Sequence, residues 1–442
     1  MEECCAWEQT GYRSLRRRIN PGRWQDIPQL SSISYLSFTD VLHQVPRLLE
    51  LVAPNDKKTL LAVCASIRQL VHPFASYVSL QEDDTLQHLL DTAAGPRLQV
   101  LELHNVRLTL TAILELTSAP WAALLTGLTL SNCGLNSSII SKLAAGDWPV
   151  LKHLSFSNNK LSTTGIKAMA GGNWPRLEHL DLSSNKLNAE AITHLTRLGW
   201  SRLSGLELHD NPDMDAKALR RLASGPWPLL KGLGISGQFS LSYLVTEAAF
   251  AWPLLDSVYL ACDGPPQAVD FAGVWQNMRN MQIKTQCPSW MPSFSMPVML
   301  ELIEADWRYL QSLDLSYSHL GSEGLSQLFL GKWPLLSQLD VSHLRLARAD
   351  FRPSNYKGLA CGTWPQLTHL CLSHNWMDDD CAAELVNADW PKLQTLDLSY
   401  NDIGATGSAS LAQGDWPAME HLCLHGNKPE CVCPCCVLQD GF

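Results

Sequence analysis

The side chains with which this chain could do chemistry recur at an interval near 26 residues. Asp314 and Asp340 stand one such interval apart. On neighbouring strands they would lie ~5 Å from each other, a spacing at which one carboxyl group can act as acid and the other as base. Cys371, Asp397 and Cys423 follow at gaps of 26, and His369 and His421 sit two residues before the cysteines. Thiolate, imidazole and carboxylate together are zinc donors. The distances argue against that use: Cys371 and Cys423 would be two strands apart, ~10 Å, whereas Zn–S bonds are ~2.3 Å. Near the end of the chain, Glu430-Cys431-Val432-Cys433-Pro434-Cys435-Cys436 lacks the paired C-x-x-C spacing of zinc knuckles. That segment leaves open a zinc site, a lipid attachment point and a frayed end.

No G-x-S-x-G, G-x-x-x-x-G-K-[ST] or H-E-x-x-H motif occurs. A row of carboxylates on an open sheet implies no pocket. The expectation is therefore a non-enzyme with no cofactor and no metal. Lys and Arg number 33 against 43 Asp and Glu, so the net charge of 33 − 43 = −10 excludes a broad nucleic-acid footprint. Apolar residues at 46% and charged residues at 17% exclude a mostly disordered chain. No apolar run reaches the roughly 18 residues of a membrane span, and no basic-then-apolar leader opens the chain. The cysteines are mostly scattered, unlike a disulfide framework, which points to the cytoplasm or nucleus.

The elements that must position these residues are read from tryptophan. Trp121, Trp148, Trp174, Trp200, Trp227 and Trp252 are 27, 26, 26, 27 and 25 residues apart. Trp307, Trp333, Trp364, Trp390 and Trp416 continue with gaps of 26, 31, 26 and 26, and eight of the eleven precede proline. After each comes the string L-x-x-L-x-L-x-x-N-x-L, as in Leu177, Leu180, Leu182, Asn185 and Leu187. Thirteen units start at Leu98, Leu125, Leu151, Leu177, Leu203, Leu230, Leu255, Met278, Leu310, Leu336, Leu367, Leu393 and Met419. The period-two stretch in each is a half-buried strand. Thr163 to Met169 and Ala189 to Leu195 have helical spacing. Each Trp is expected to plug the core where the chain returns to the next strand, and the Pro after it stops a helix.

This string resembles the leucine-rich repeat family, and the period with a helix looks like its ribonuclease-inhibitor-like subclass. The resemblance implies an α/β solenoid (horseshoe) over 81–428, with a parallel concave sheet and convex helices. The pattern is irregular at 263–308. Residues 1–37 read as a flexible tail and 429–442 as a Cys-rich tail. In the segment 38–80, two apolar helical stripes flank Pro54-Asn55-Asp56, and the second carries Leu60, Val63, Cys64, Arg68 and Leu70. It is similar to the F-box family. That resemblance implies docking of a Skp-type linker of a cullin–RING ubiquitin ligase through Leu48, Leu49, Pro54, Leu60, Val63 and Arg68. The plain alternative is a helical cap for the first repeat. Tyr77, Val78 and Leu80 are expected to form a capping strand.

Positions three, five, seven and eight of each unit should face outward. They place Glu102, Asp181, Glu207, Tyr259, Asp314, Tyr317, Asp340, His369, Asp397, Tyr400 and His421 on a protein-binding face. Nine of the 14 histidines fall there, including His153 and His179, which reads either as a face whose charge and partner binding change between pH 5 and 8 or as ordinary polar surface residues. The expected function is protein recognition without chemistry: a ubiquitin-ligase substrate adaptor, or an inhibitor or scaffold clamping a basic protein.

Overall fold

The computed structural model describes residues 77–80, 98–237, 252–262, 277–285, 300, 302–305, 307–318, 320–344 and 364–428. The tails at 1–37 and 429–442 lie outside the described residues. So does 38–76, with Leu48, Leu49, Pro54, Leu60, Val63 and Arg68. The chain forms two compact units, which divide between Glu207 and Leu208.

The first unit holds β1 (Tyr77–Leu80), β2 (Val100–His104), β3 (Gly127–Ser131), β4 (His153–Ser155), β5 (His179–Asp181) and β6 (Gly205–Leu208), paired in parallel and in chain order. β1 is the capping strand expected from Tyr77, Val78 and Leu80. Helices α1 (Leu110–Ser118), α2 (Ser137–Ala144), α3 (Thr163–Met169) and α4 (Ala189–Leu195) connect the strands and pack side by side. The second unit opens with α5 (Ala216–Ala223). It continues through β7 (Gly232–Gly237), β8 (Ser257–Cys262), β9 (Asn280–Thr285), β10 (Ser312–Asp314), β11 (Gln338–Asp340), β12 (His369–Cys371), β13 (Thr395–Asp397) and β14 (His421–Cys423), again parallel and in order. Its other described helices are α6 (Gly321–Leu328), α7 (Asp379–Leu385) and α8 (Ala405–Leu411). Every one of the thirteen repeat units thus supplies a strand.

The fourth position of each unit builds the core. Leu101, Leu128, Leu154, Leu180 and Leu206 align across the first ladder and are buried. A fully buried leucine contributes about 2 kcal/mol, and no unit can bury its own without a neighbour. Helix starts are fixed by the repeat as well. Thr109, Asn136, Asn188, Asp215 and Asp378 are N-caps whose side chains accept from backbone N–H groups of the first turn.

The eleven ruler tryptophans are all buried, at 8% exposure or less. Several lie across a glycine two residues earlier, in Gly146, Gly172, Gly225, Gly331 and Gly414. A Cβ at Gly172 would stand 2.5 Å from the Trp174 ring, whereas one at Gly171 would meet nothing nearer than 3.9 Å. Gly172→Ala is expected to cost about 1–3 kcal/mol through overpacking, and Gly171→Ala to be near neutral. Urea unfolding of the pair checks this; equal stabilities would show that the indole yields.

Strand length follows the fifth position. Where it is Asp, Ser or Cys, the strand stops there after three residues, as in β4, β5, β10, β11, β12, β13 and β14. Asp181, Asp314, Asp340 and Asp397 each accept the backbone N–H two residues on, at 2.9 Å, which turns the chain. Gly234, Tyr259 and Gln282 have no such short acceptor. The units that look degenerate in sequence therefore form the longest strands, β7, β8 and β9, at six residues each.

Candidate functional site

The sheet face away from the leucines carries the expected contact residues, and two of them are buried. Tyr259 is 8% exposed and Asp397 is 5% exposed, so neither stands out from the surface as expected. The ladder neighbour of Tyr259 is Gly234, which has no side chain to prop the ring up, and His209 closes on its edge at 5.3 Å. Asp397 is enclosed by thiols: Cys371 and Cys423 flank it in register, and the Cys371 thiol donates to its Oδ2 at 3.7 Å. Burial, then the charges of Asp340 and Asp397, push the Cys371 thiol well above its ordinary value. It stays protonated and acts as a donor, the opposite of a zinc-binding thiolate. Among the described residues, no group of three or more His, Cys, Asp or Glu is arranged to hold a metal ion.

The remaining carboxylates are half-buried. Glu102 accepts from the Tyr77 hydroxyl at 2.7 Å and lies 3.5 Å from His104. Burial raises its carboxyl, but the bonds from His104 and Tyr77 outweigh that and leave it below the ordinary value. Asp181 takes the Ser155 and Ser183 hydroxyls at 2.9 and 2.6 Å. Glu207 pairs in register with Asp181. In the second unit Asp314 and Asp340 stand side by side in register, and the Gln282 carboxamide donates to Asp314. Burial, then the Asp314 charge, pushes Asp340 up to about 7. His369 is half-buried beside the Thr368 hydroxyl at 2.8 Å, and His421 is exposed.

The histidine face is not uniform. His153 and His179 stack with ring centroids 4.6 Å apart and planes within 2°. Burial, then the neighbouring His179 and Lys152, pushes His153 down to about 3. Burial does the same to His179, down to about 4, against an opposing pull from Glu178. These two do not change charge between pH 5 and 8, which sets aside the pH-sensitive reading for them. The cause is that each ring covers its neighbour and neither is fully hydrated.

The feature that sequence reasoning missed is the backbone at position eight. Asn105, Asn132, Asn158, Ser184 and Asp210 in the first half of the repeats all have φ near +55°. Tyr317 (φ +60°), His343 (+52°), His374 (+57°) and Tyr400 (+54°) take the same left-handed turn. Asn and Asp tolerate it; bulky aromatics do so at a cost of about 1–2 kcal/mol each. Stacking offsets that cost here. The rings follow one another at 4.3, 3.9 and 4.3 Å, within 17° of parallel, and His425 closes edge-on to Tyr400 at 4.9 Å. Tyr317 and Tyr400 remain 39% and 42% exposed. The run of Asn at position eight in the early units was the available signal. Trp376, 52% exposed with φ +57°, is the tryptophan in 364–416 that falls off the ruler, which was also readable.

The repeats are confirmed by comparison. A family model described as Leucine Rich repeat matches residues 149–170, 308–329 and 391–412, and another described as Leucine Rich Repeat matches 176–198. The chain carries leucine-rich repeats. No curated protein matches it in sequence. Among solved structures it is similar to a chain of the Rad7 and Elc1 complex in yeast, at 17% identity, covering 79% of this chain and 94% of that one, with a TM-score of 0.41. It is also similar to an internalin (inlF) from Listeria monocytogenes, at 16% identity, 76% of each chain and TM-score 0.35. The leucine-rich repeat-containing protein LegL7 from Legionella pneumophila stands at 15% identity, 75% and 84% coverage, and TM-score 0.34. No helix among the described residues is long and apolar enough to cross a membrane.

Proposed function

We propose that this chain is a non-catalytic protein-recognition module, and that the open sheet face of its second unit anchors a protein partner through Tyr317 and Tyr400. The observation that carries this reading is the stacked Tyr317–His343–His374–Tyr400 row, held in a backbone conformation that Asn fills more easily. Strained residues that remain exposed point to use, and aromatic side chains dominate interface energetics.

The finer reading is a substrate adaptor for a cullin–RING ubiquitin ligase in the cytoplasm or nucleus. It is supported by the F-box-like order of Leu48, Leu49, Pro54, Leu60, Val63 and Arg68 ahead of a repeat array, and by the buried reduced thiols of Cys371 and Cys381. The experiment is a single capture with the full chain, scored for a Skp-type linker and for the target together. Co-elution with the purified linker is expected; no complex at micromolar concentration sinks the adaptor role. Tyr317→Ala with Tyr400→Ala should weaken target capture about 30-fold or more, with Lys142→Ala on α2 as the neutral control. A second reading, a clamp on a basic protein, is favoured by the paired Asp314 and Asp340. It would show target capture that fades steeply with salt and needs no linker.

A further inference from the structure

A cavity of about 300 Å³ opens in the first unit, where the chain returns from α3 and from α4 towards the sheet. That is the lower end of the roughly 300–1,000 Å³ of small-ligand sites. Met169, Ala170, Leu198 and Trp200 give it apolar walls, and His194 and Arg197 complete them. The tryptophan ruler breaks at this place. Trp333 and Trp364 stack within 10° of parallel, and Trp390 and Trp416 within 19°. Trp174 and Trp200 are tilted by 54° at 5.8 Å. Trp200 precedes Ser201 where most returns have proline, and Gly199 before it takes φ +60°.

The polar groups of the cavity are donors. Trp148, Trp307 and Trp364 donate their indole N–H to a carbonyl. Trp227, Trp252, Trp333, Trp390 and Trp416 have theirs unbonded but sealed from solvent. Trp200, only 7% exposed, does neither, so its N–H is open to solvent on a ring that lines the cavity. Trp121 and Trp174 do neither as well, but they do not line it. Lys167 and His194 are both drawn to Glu190, at 2.9 and 3.8 Å. Arg197 has no ion pair among the described residues, and no carboxylate lines the cavity.

We infer that this cavity takes a carboxylate carried on a large apolar group, the chemistry of a protein's C-terminal apolar residue or of a free apolar acid. The Arg197 guanidinium pairs with the carboxylate, the Trp200 N–H is a further donor, and Met169, Leu198 and the indole cover the apolar part. The carbonyls that end α3 disfavour an anion on the Ala170 side, which leaves the Arg197 side for it. A cationic ligand would face Arg197 and His194. A wholly apolar one would cover the indole N–H without bonding it, at a cost. The site uses no residue of the second unit, so it stands or falls apart from the recognition face.

The test is a fluorine NMR titration of the full chain with N-acetyl-para-fluorophenylalanine, its carboxamide and para-fluorophenylpropanoate. The acetylated acid should bind saturably with a Kd of about 1 mM or tighter. The carboxamide should bind about tenfold more weakly. Arg197→Gln should lose about tenfold for the acid and nothing for the carboxamide. Ala170→Trp, which plugs the cavity, should abolish binding of both, and Lys142→Gln on α2 should change nothing. Arg197 and Ala170 are exposed, so both variants fold, and a thermal melt verifies it. Tighter binding of the acetylated acid than of the propanoate assigns the carboxylate to a protein C-terminus, and the reverse order to a free acid. No saturable binding to the wild type, equal affinity for acid and carboxamide, or an acid affinity unchanged by Arg197→Gln overturns the inference.

Discussion

Asn185→Leu is expected to lower the stability of the first unit by on the order of 5 kcal/mol, comparable to the whole stability of a small domain. Asn185 is 4% exposed and uses every hydrogen-bonding group of its carboxamide. Its Oδ1 accepts from the Asn159 and Leu161 N–H groups at 3.0 and 2.8 Å. Its Nδ2 donates to the carbonyls of Phe156, Leu182 and Ser183 at 3.0, 3.0 and 3.1 Å. One side chain thus ties its own turn to the turn before it. Leucine has nearly the same shape, so packing changes little. What it leaves is the Asn159 and Leu161 N–H groups buried without their acceptor, each costing about 1–3 kcal/mol, while the Phe156 carbonyl keeps the Asn159 carboxamide and the Ser183 carbonyl keeps the Asn158 N–H. Cysteine should be milder than leucine. Cys133 occupies the equivalent place two repeats earlier and donates to the Leu103 and Ser131 carbonyls at 3.3 and 3.4 Å. Urea unfolding monitored by tryptophan fluorescence checks the order wild type, Asn185→Cys, Asn185→Leu. A leucine variant within about 1 kcal/mol of wild type would show that burial of the turn, not the amide ladder, holds it.

The repeat itself was legible because each of its parts has a local cause. Leucine alternation dictates strands, the Trp-Pro return dictates where they begin, and the Asn and Asp caps dictate where helices start. The thirteen strands and the ends of α3 and α4 follow from those rules. The apparent decay around Gly234, Tyr259 and Gln282 was misleading, because what those units lack is the turn-forming acceptor and not the strand. The face was legible only as far as direction. Period two says that Asp397 and Tyr259 point away from the leucines. It does not say that Cys371 and Cys423 bury the first, or that Gly234 and His209 let the second sink. The ring row at position eight escaped because a positive φ is not written in hydrophobic periodicity. It is written in the tolerance of Asn for that turn, and that clue lay in a different part of the chain from the aromatics.

The same contrast, between what a side chain is and what its neighbours let it do, governs the second large effect. His153 and His179 are expected to make the protein acid-labile at pH values where it binds no extra proton on them. Folded, they titrate at about 3 and about 4. Unfolded, each regains an ordinary value near 6.5, so between 6.5 and about 4 the unfolded chain holds more protons than the folded one. Their contribution to stability is present in full above pH 6.5 and is lost as pH falls, by roughly 2–3 kcal/mol per ring at pH 4.5. Asp340 acts in the other direction. Its carboxyl is raised to about 7, so the folded state holds the extra proton, and stability falls as pH rises from about 4 to 7. A wild-type profile sums the two slopes, so the difference between variants is the informative quantity. His153→Gln with His179→Gln removes the acid slope and should take about 5 kcal/mol off the difference between unfolding free energies at pH 7 and pH 4.5, leaving the opposite slope of Asp340. Asp340→Asn should steepen that gap, because it removes the opposing term. Urea unfolding of the three chains at both pH values decides it. If the histidine variant keeps the wild-type difference, the stacked pair is hydrated enough to take protons while folded, and the sheet face answers to pH there after all.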